Sequence, residues 1–329
     1  MIISRTPFRI SFFGGGTDYP VWFREHGGAV LATTIDKYCY ISCRQLPPFF
    51  EHRTRIAYSR IELVNNHEEI EHPSVRGVLK YLNINEGLEI HHDGDLPART
   101  GLGSSSSFTV GLLHTLYALQ HVMPSKAQLA QAAIHVEQDV LGESVGCQDQ
   151  VLAAHGGLCR ATFFPNGDIG YTPIIMRPDR LASFQSHLQL YFTGFSRIAS
   201  EVAREQIDRT KHRQRELSTM LQMVDEGNAI LTGEGDLADF GTMLHEAWML
   251  KRRLTTRITT PAIDEIYTAA RQAGALGVNC SVPAAEGLYS YSPGLRIMHA
   301  FEWLCRDYYR CPSSSRRWAR KSCFIRKIS

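Results

Sequence analysis

Leu96-Pro-Ala-Arg-Thr-Gly-Leu-Gly-Ser-Ser-Ser-Ser107 joins two segments of opposite character. Upstream, Leu88-Glu-Ile-His-His-Asp-Gly-Asp-Leu96 alternates as a strand does. Downstream, Phe108 to His121 carries Val110, Leu112, Leu113, Leu116 and Leu119 with almost no helix breaker, the mark of a buried helix. The unit is strand, loop, helix. The N–H groups that open a helix lack partners, and the helix dipole favours negative charge there, so such a loop suits phosphate. Gly101 and Gly103 let the backbone come close to a ligand, and Ser104, Ser105, Ser106 and Ser107 add hydroxyls for phosphate oxygens or a magnesium ion. The loop lacks the Gly-Lys-Ser/Thr ending of a Walker A motif, and no Gly-x-Gly-x-x-Gly follows a first strand. A flexible linker is the bland alternative, but apolar structure presses on both sides. The loop therefore reads as the phosphate cradle of an ATP-using enzyme.

Outward from it, residues 2–13 and 29–45 are rich in Ile, Phe, Val, Thr and Tyr and predict strands. Ser125 to Leu141 predicts a second helix, with Ser125 as N-cap and Gly142 as stop. Leu158 to Phe164, the turn Pro165-Asn-Gly-Asp168 and Ile169 to Ile175 predict a hairpin. A strand at Leu188-Gln-Leu-Tyr-Phe192 precedes helical periodicity from Ala199 to Ala273, which puts a domain boundary near residue 180. No internal repeat is present. Phosphoryl transfer also needs a metal carboxylate and a group that orients the acceptor hydroxyl. Glu137 on the second helix and Asp149 in Gly146-Cys-Gln-Asp-Gln150 are the candidates, although each alone reads more readily as a solvated surface acid or a cap.

Length and composition allow two ordinary domains: 329 residues, 43% apolar and 21% charged. Arg5 and Arg9 interrupt the stretch where a signal peptide needs its apolar run, and no eighteen apolar residues run together, so a cytoplasmic protein without a membrane span is expected. Cys39, Cys43, Cys147 and Cys159 have no disulfide or metal spacing and read as packed thiols. The net charge of +2 hides a break after Gly277. Residues 1–277 carry 26 Lys/Arg against 30 Asp/Glu, and residues 278–329 carry 9 against 3.

Three separated motifs carry a family resemblance: Thr6-Pro-Phe-Arg-Ile-Ser-Phe-Phe-Gly-Gly-Gly-Thr-Asp-Tyr19, the Pro-x-x-x-Gly-Leu-Gly-Ser-Ser loop, and Gly-x-Gln-Asp-Gln. Together they resemble the GHMP small-molecule kinases over residues 1–277, and the triple glycine before Thr-Asp resembles the D-glycero-D-manno-heptose 7-phosphate kinases. The resemblance implies a two-domain α/β (α+β) fold. Its N-terminal domain, residues 1–180, would be ribosomal-S5-like and bind ATP and sugar. Its C-terminal domain, residues 181–277, would be a ferredoxin-like helix and sheet layer, incomplete in this chain. The implied reaction moves the γ-phosphate of ATP, with Mg2+, to the anomeric hydroxyl of a sugar phosphate. Asp149 would activate or orient that hydroxyl and Arg9 would face the transferring phosphate. Pro97, Gly101, Leu102, Gly103, Ser104, Ser105 and Ser106 would bind ATP, and Ser105 and Glu137 would hold magnesium. Gly15, Gly16, Thr17 and Asp18 would line the sugar site. Galactokinases have Glu-His at Gly15-Gly16, which speaks against galactose. Two further stretches resemble the heptose kinases and offer Arg197, His245 and Lys251 for the sugar or its distal phosphate. A non-catalytic sugar or nucleotide binder, a decarboxylase on the same scaffold, and a kinase for another sugar such as fucose stay open.

The family's third glycine-rich loop is missing after Ala273-Gly-Ala-Leu-Gly277, where the chain reads Val278-Asn-Cys-Ser-Val-Pro-Ala-Ala-Glu-Gly-Leu288. When the third base of each codon is read as the first of the next, the ten junctions of this stretch permit Lys-Leu-Leu-Gly-Ala-Gly-Gly-Gly-Gly-Phe, the missing motif. Residues 278–329 thus read as an out-of-frame tail, which accounts for its charge and for Cys280, Cys305, Cys311 and Cys323. The rival reading, a basic tail for nucleic acid or anionic membrane, treats these as coincidence; neither partner is expected. Loss of the motif and the strand after it should leave strand edges unpaired in the second sheet and the chain unstable or inactive.

Overall fold

The computed structural model describes residues 1–97, 101–192, 199–255, 258–280 and 287–291; Arg197 lies outside them. The chain opens with β1 (Ile2–Phe13), α1 (Pro20–His26) and β2 (Gly28–Gln45), followed by β3 (Thr54–Ala57), β4 (Ile61–Val64), α2 (Pro73–Tyr81) and β5 (Leu88–Gly94). After the glycine-serine loop come α3 (Ser104–Leu119), α4 (Lys126–His135) and α5 (Gln148–His155), then the expected hairpin, β6 (Leu158–Phe163) and β7 (Ile169–Pro173). The remainder is α6 (Pro178–His187), β8 (Leu188–Phe192), α7 (Ala199–Arg209), α8 (Gln214–Thr232), α9 (Ala238–Leu254), α10 (Pro261–Gln272), β9 (Gly277–Cys280) and β10 (Gly287–Tyr291). The fold is α+β.

The larger sheet is organised by β2, 18 residues long. β1 pairs with it antiparallel from Ile2↔Cys43 to Phe13↔Leu31. β6 takes its first part, Gly28 to Thr33, and β5 its last, Cys39 to Gln45. β3 and β4 extend the sheet beyond β5, and β7 extends it beyond β6. Phe8, Ile10 and Phe12 are buried in the core, while the intervening Arg9 and Ser11 line a cleft on the other side. The core continues past residue 180: Phe12 meets Phe184 and Phe240 edge to face at 5.8 and 5.3 Å.

Helix α3 lies unusually close to β1. A Cβ on Gly111 would stand 2.7 Å from Thr6 Oγ1. In its absence, Ser4 Oγ donates to Gly111 O at 2.9 Å and Thr115 Oγ1 donates to Ser4 Oγ at 2.7 Å. This fixes where the helix begins and hence where its loop sits. Ser125 caps α4 through a capping box with Gln128. The helix expected to run to Leu141 leaves α geometry at His135 and passes through a π turn, Val136–Val140, before Gly142 at φ +68°.

The second sheet has the order β8-β10-β9. This corrects the expectation of an unpaired edge: the backbone of Gly287–Tyr291 pairs antiparallel with both neighbours. Ladder bonds use main-chain groups, so an extended segment fills the position whatever its side chains. Residues 281–286 and 292–329 lie outside the described residues. Among the described residues no helix is long and apolar enough to cross a membrane.

Candidate active site

The loop is stitched to β1 at an irregularity. Between Pro7 and Arg9 the ladder shifts, so that Pro7 opposes Tyr38 and Arg9 opposes Thr34. There the Arg9 N–H donates to Leu102 O at 3.0 Å, and Pro7 O accepts from Ser107 Oγ at 2.8 Å. Gly101 and Gly103 take φ of +69° and +74°, the left-handed region in which a side chain is strained. A Cβ on Gly103 would also crowd Arg9 Cγ at 3.2 Å and Asp149 Oδ2 at 3.4 Å. Pro97 is exposed at the entry to the loop, Leu102 is buried beneath it, and Ser104 begins α3.

Arg9 joins this loop to Asp149. Its Nε and Nη2 donate to Asp149 Oδ1 and Oδ2 at 2.6 and 2.8 Å, and its Nη1 donates to Gly101 O at 2.8 Å. Planar, bidentate pairing fixes the carboxylate's direction as well as its charge. Asp149 stands in the first turn of α5, a quarter exposed, while the Arg9 side chain is 8% exposed. Arg9, expected to face the transferring phosphate, bridges the loop and Asp149 and also lines the cleft described below.

The glycine turn lies beside them. Asp18 is buried; its Oδ1 accepts from Gly16 N at 2.9 Å and its Oδ2 from Gln148 N at 3.3 Å. Burial pushes its carboxyl above the ordinary range, with Asp149 adding to the rise and the backbone N–H groups opposing it. A Cβ on Gly146 would overlap Asp18 Oδ2, which explains glycine at that position. Asp18 therefore ties the glycine turn to the start of α5. Thr17, expected to line the sugar site, is fully buried; its hydroxyl shares its one proton between Gly14 O and Ala29 O and accepts from Ala29 N. That hydroxyl pins the turn and is spent.

A cleft of about 420 Å3, counting its open mouth, is lined by Arg9, Ser11, Gly15, Gly16, Tyr19, Gln148, Gln206 and Lys251. Gly15 and Gly16, which the resemblance puts in the sugar site, line this cleft. Ser11, Tyr19, Gln148 and Gln206 were not singled out in the sequence; the odd positions of β1 were the available signal for Ser11. Burial and the charges of Asp18 and Asp149 raise the Tyr19 hydroxyl's pKa, so it stays protonated. Lys251 and His245 share α9 but lie six residues apart, a rotation of about 240°. Lys251 reaches the cleft. His245 does not, since its Nδ1 pairs with Tyr267 Oη on α10.

Glu137 sits in the π turn, 1% exposed. Its Oε2 accepts from Ser106 Oγ at 2.8 Å and from Gln150 Nε2. Burial raises its pKa to about 7, against the lowering hydrogen bonds of Thr109, Ser106 and Gln150. Ser105, expected beside Glu137, is exposed; Ser106 makes the contact, because neighbours on a helix point about 100° apart. Cys39, Cys43, Cys147 and Cys159 are buried free thiols.

Residues 73–157, which span the loop, Glu137 and Asp149, match the model described as the GHMP kinases N terminal domain. Residues 73–157 are a GHMP kinase N-terminal domain. Over 299 residues, 87% of each chain, the kinase is 25% identical to the D-glycero-alpha-D-manno-heptose 7-phosphate kinase of Campylobacter jejuni. It is 27% identical over 182 residues to the galactokinase of Chloroflexus aurantiacus, covering 52% of this chain and 45% of that one. Its fold matches a crystal structure of a D-glycero-D-manno-heptose 1-phosphate kinase from Bacteriodes thetaiotaomicron with a TM-score of 0.73, at 24% identity and 93% coverage of both chains. The kinase is a sugar kinase, a phosphotransferase with an alcohol group as acceptor. Kinases of this family use ATP, and magnesium is typical of them. The residues fit such an ion: Glu137 Oε1 is buried without a hydrogen-bond partner among the described residues, an oxygen of the kind a hard cation takes. Among the described residues no three His, Cys, Asp or Glu side chains gather into a larger metal site.

Proposed function

We propose that the kinase phosphorylates the anomeric hydroxyl of a sugar phosphate, most closely D-glycero-D-manno-heptose 7-phosphate, in the cytoplasm. The observation that carries this reading is the Arg9 bridge, which holds Asp149 against the glycine-serine loop at the edge of a polar cleft. Phosphate groups on the loop N–H donors would lie next to a carboxylate of fixed direction, and a hydroxyl in the cleft would meet that carboxylate. Asp149 then orients the acceptor hydroxyl or takes its proton, while Arg9 adds positive charge where the transferred group becomes more negative. Glu137 and Ser105 would hold the magnesium that neutralises the phosphates. Lys251, which lines the cleft, suits a distal phosphate on the acceptor. The heptose reading draws on the Campylobacter relative's name and on the two glycines, Gly15 and Gly16, that line the cleft.

The test is ATP with a panel of sugar phosphates, run on the chain with its shifted frame restored and read by 31P NMR. A heptose 1,7-bisphosphate formed in step with ADP is expected. Phosphate release without a phosphorylated sugar would point to a decarboxylase, and sugar binding without ADP formation would point to a non-catalytic binder.

A further inference from the structure

One wall of the cleft holds an acceptor that no described residue satisfies. Gln148 Oε1 is buried and has no hydrogen-bond partner among the described residues. Its backbone is not free to relieve this, because Gln148 N is held by Asp18 Oδ2 at 3.3 Å at the start of α5. Its side chain faces Gly15: a Cβ there would come within 3.8 Å of Gln148 Nε2. Gly15 carries no side chain, so space is left in front of the amide. The next residue is Asp149, turned about 100° around the same helix and held by Arg9. Gln148 therefore lines the cleft with an amide oxygen in want of a donor, and the next residue on its helix is the carboxylate gripped by Arg9, itself a lining residue. Buried polar groups are rarely left unpaired unless a ligand or water completes them.

We propose that Gln148 is a specificity-determining residue whose Oε1 accepts a hydrogen bond from the acceptor's second hydroxyl, the one vicinal to the hydroxyl that Asp149 addresses. The inference rests on the sugar-phosphate reading and sharpens it. The site selects a vicinal diol, and an acceptor with a lone hydroxyl leaves Gln148 Oε1 unpaired. For transfer to an anomeric hydroxyl, the group read by Gln148 is the hydroxyl on C2. Sites built around a hydroxyl reject the analogue that lacks it far more strongly than sites that merely enclose it.

The test is calorimetric binding of D-glycero-D-manno-heptose 7-phosphate and its 2-deoxy counterpart to the 329-residue chain and to Gln148→Met, which keeps the side chain's length and removes the acceptor. Wild type is expected to prefer the 2-hydroxy sugar by at least about tenfold, the equivalent of one hydrogen bond. Gln148→Met is expected to bind both sugars alike, with its affinity for the 2-deoxy sugar and its melting temperature little changed. A preference that survives intact in Gln148→Met overturns the role of Gln148 and leaves the sugar-kinase reading standing. Failure to bind either sugar by the 329-residue chain and by its frame-restored form alike overturns the heptose reading, and this proposal with it.

Discussion

Arg9 grips both carboxylate oxygens of Asp149, Nε to Oδ1 at 2.6 Å and Nη2 to Oδ2 at 2.8 Å, and with its remaining terminal nitrogen holds the Gly101 carbonyl of the phosphate loop. One guanidinium thus sets the distance between the acceptor's carboxylate and the donor's cradle. Asp149→Ala is expected to lower kcat by roughly 10²–10⁴, the range of a positioned acid or base, with the KM for ATP little changed. Arg9→Lys keeps the charge but loses the fork and should also lower kcat. Full activity in Asp149→Ala would remove this residue from the chemistry.

Adjacent serines should behave differently. Ser106 is 3% exposed and donates to Glu137, so Ser106→Ala leaves a buried carboxylate short of a donor and should cost about 1–2 kcal/mol in denaturant unfolding. Ser105 is exposed, so Ser105→Ala should leave stability unchanged and raise the magnesium concentration needed for half-maximal turnover. Equal stability losses in the two variants would contradict the geometry.

Glu137 links folding to pH and to magnesium. Its pKa rises from the ordinary 4.5 to about 7, so the folded chain binds this proton more tightly than the unfolded chain does. Its contribution to stability is full below about pH 4.5 and is lost as pH rises through about 7. A cation that takes the carboxylate form opposes that loss. The increase in melting temperature on adding magnesium should therefore grow between pH 5 and pH 8, and Glu137→Gln should abolish the trend. An increase of the same size at both pH values would argue that magnesium binds elsewhere.

The tail gives a prediction about the gene. Resequencing across the codons for Gly277 to Leu288 should show a frame in which the glycine-rich motif is read. The restored protein should melt higher and turn over ATP faster than the 329-residue form. An open frame with no such alternative would end the frameshift reading, and robust turnover by the 329-residue form would contradict the expected loss of stability or activity.

Much of the fold was legible because local patterns and tertiary packing agree. The alternation of residues 88–94, the apolar face of α3, the Ser125 capping box and the Pro165-Asn-Gly-Asp168 turn each specify their element within a few residues. The site was less legible wherever angular phase decides. Four consecutive serines look alike in sequence, and only the start of α3 determines that Ser106 meets Glu137. The π turn at Val136–Val140 has the composition of an ordinary helix. Thr17 sits within the acceptor-side motif, yet the return of β2 past the glycine turn consumes its hydroxyl. Gln206 enters the cleft from another helix altogether, at a distance no local pattern encodes.

The alternation of β1 carries a cost for how the gene can vary. Phe8, Ile10 and Phe12 fill the core while Arg9 and Ser11 serve the cleft, so core and chemistry are interleaved one residue at a time. Deleting a single codon upstream of Phe8 would exchange the two sets, sending a guanidinium into the apolar interior and a phenyl ring toward the substrate. Insertions and deletions in this strand should therefore be absent from any working copy of the enzyme, in pairs as well as singly: a two-residue slip preserves the faces but would slide Arg9 about 7 Å along the strand, out of reach of Asp149.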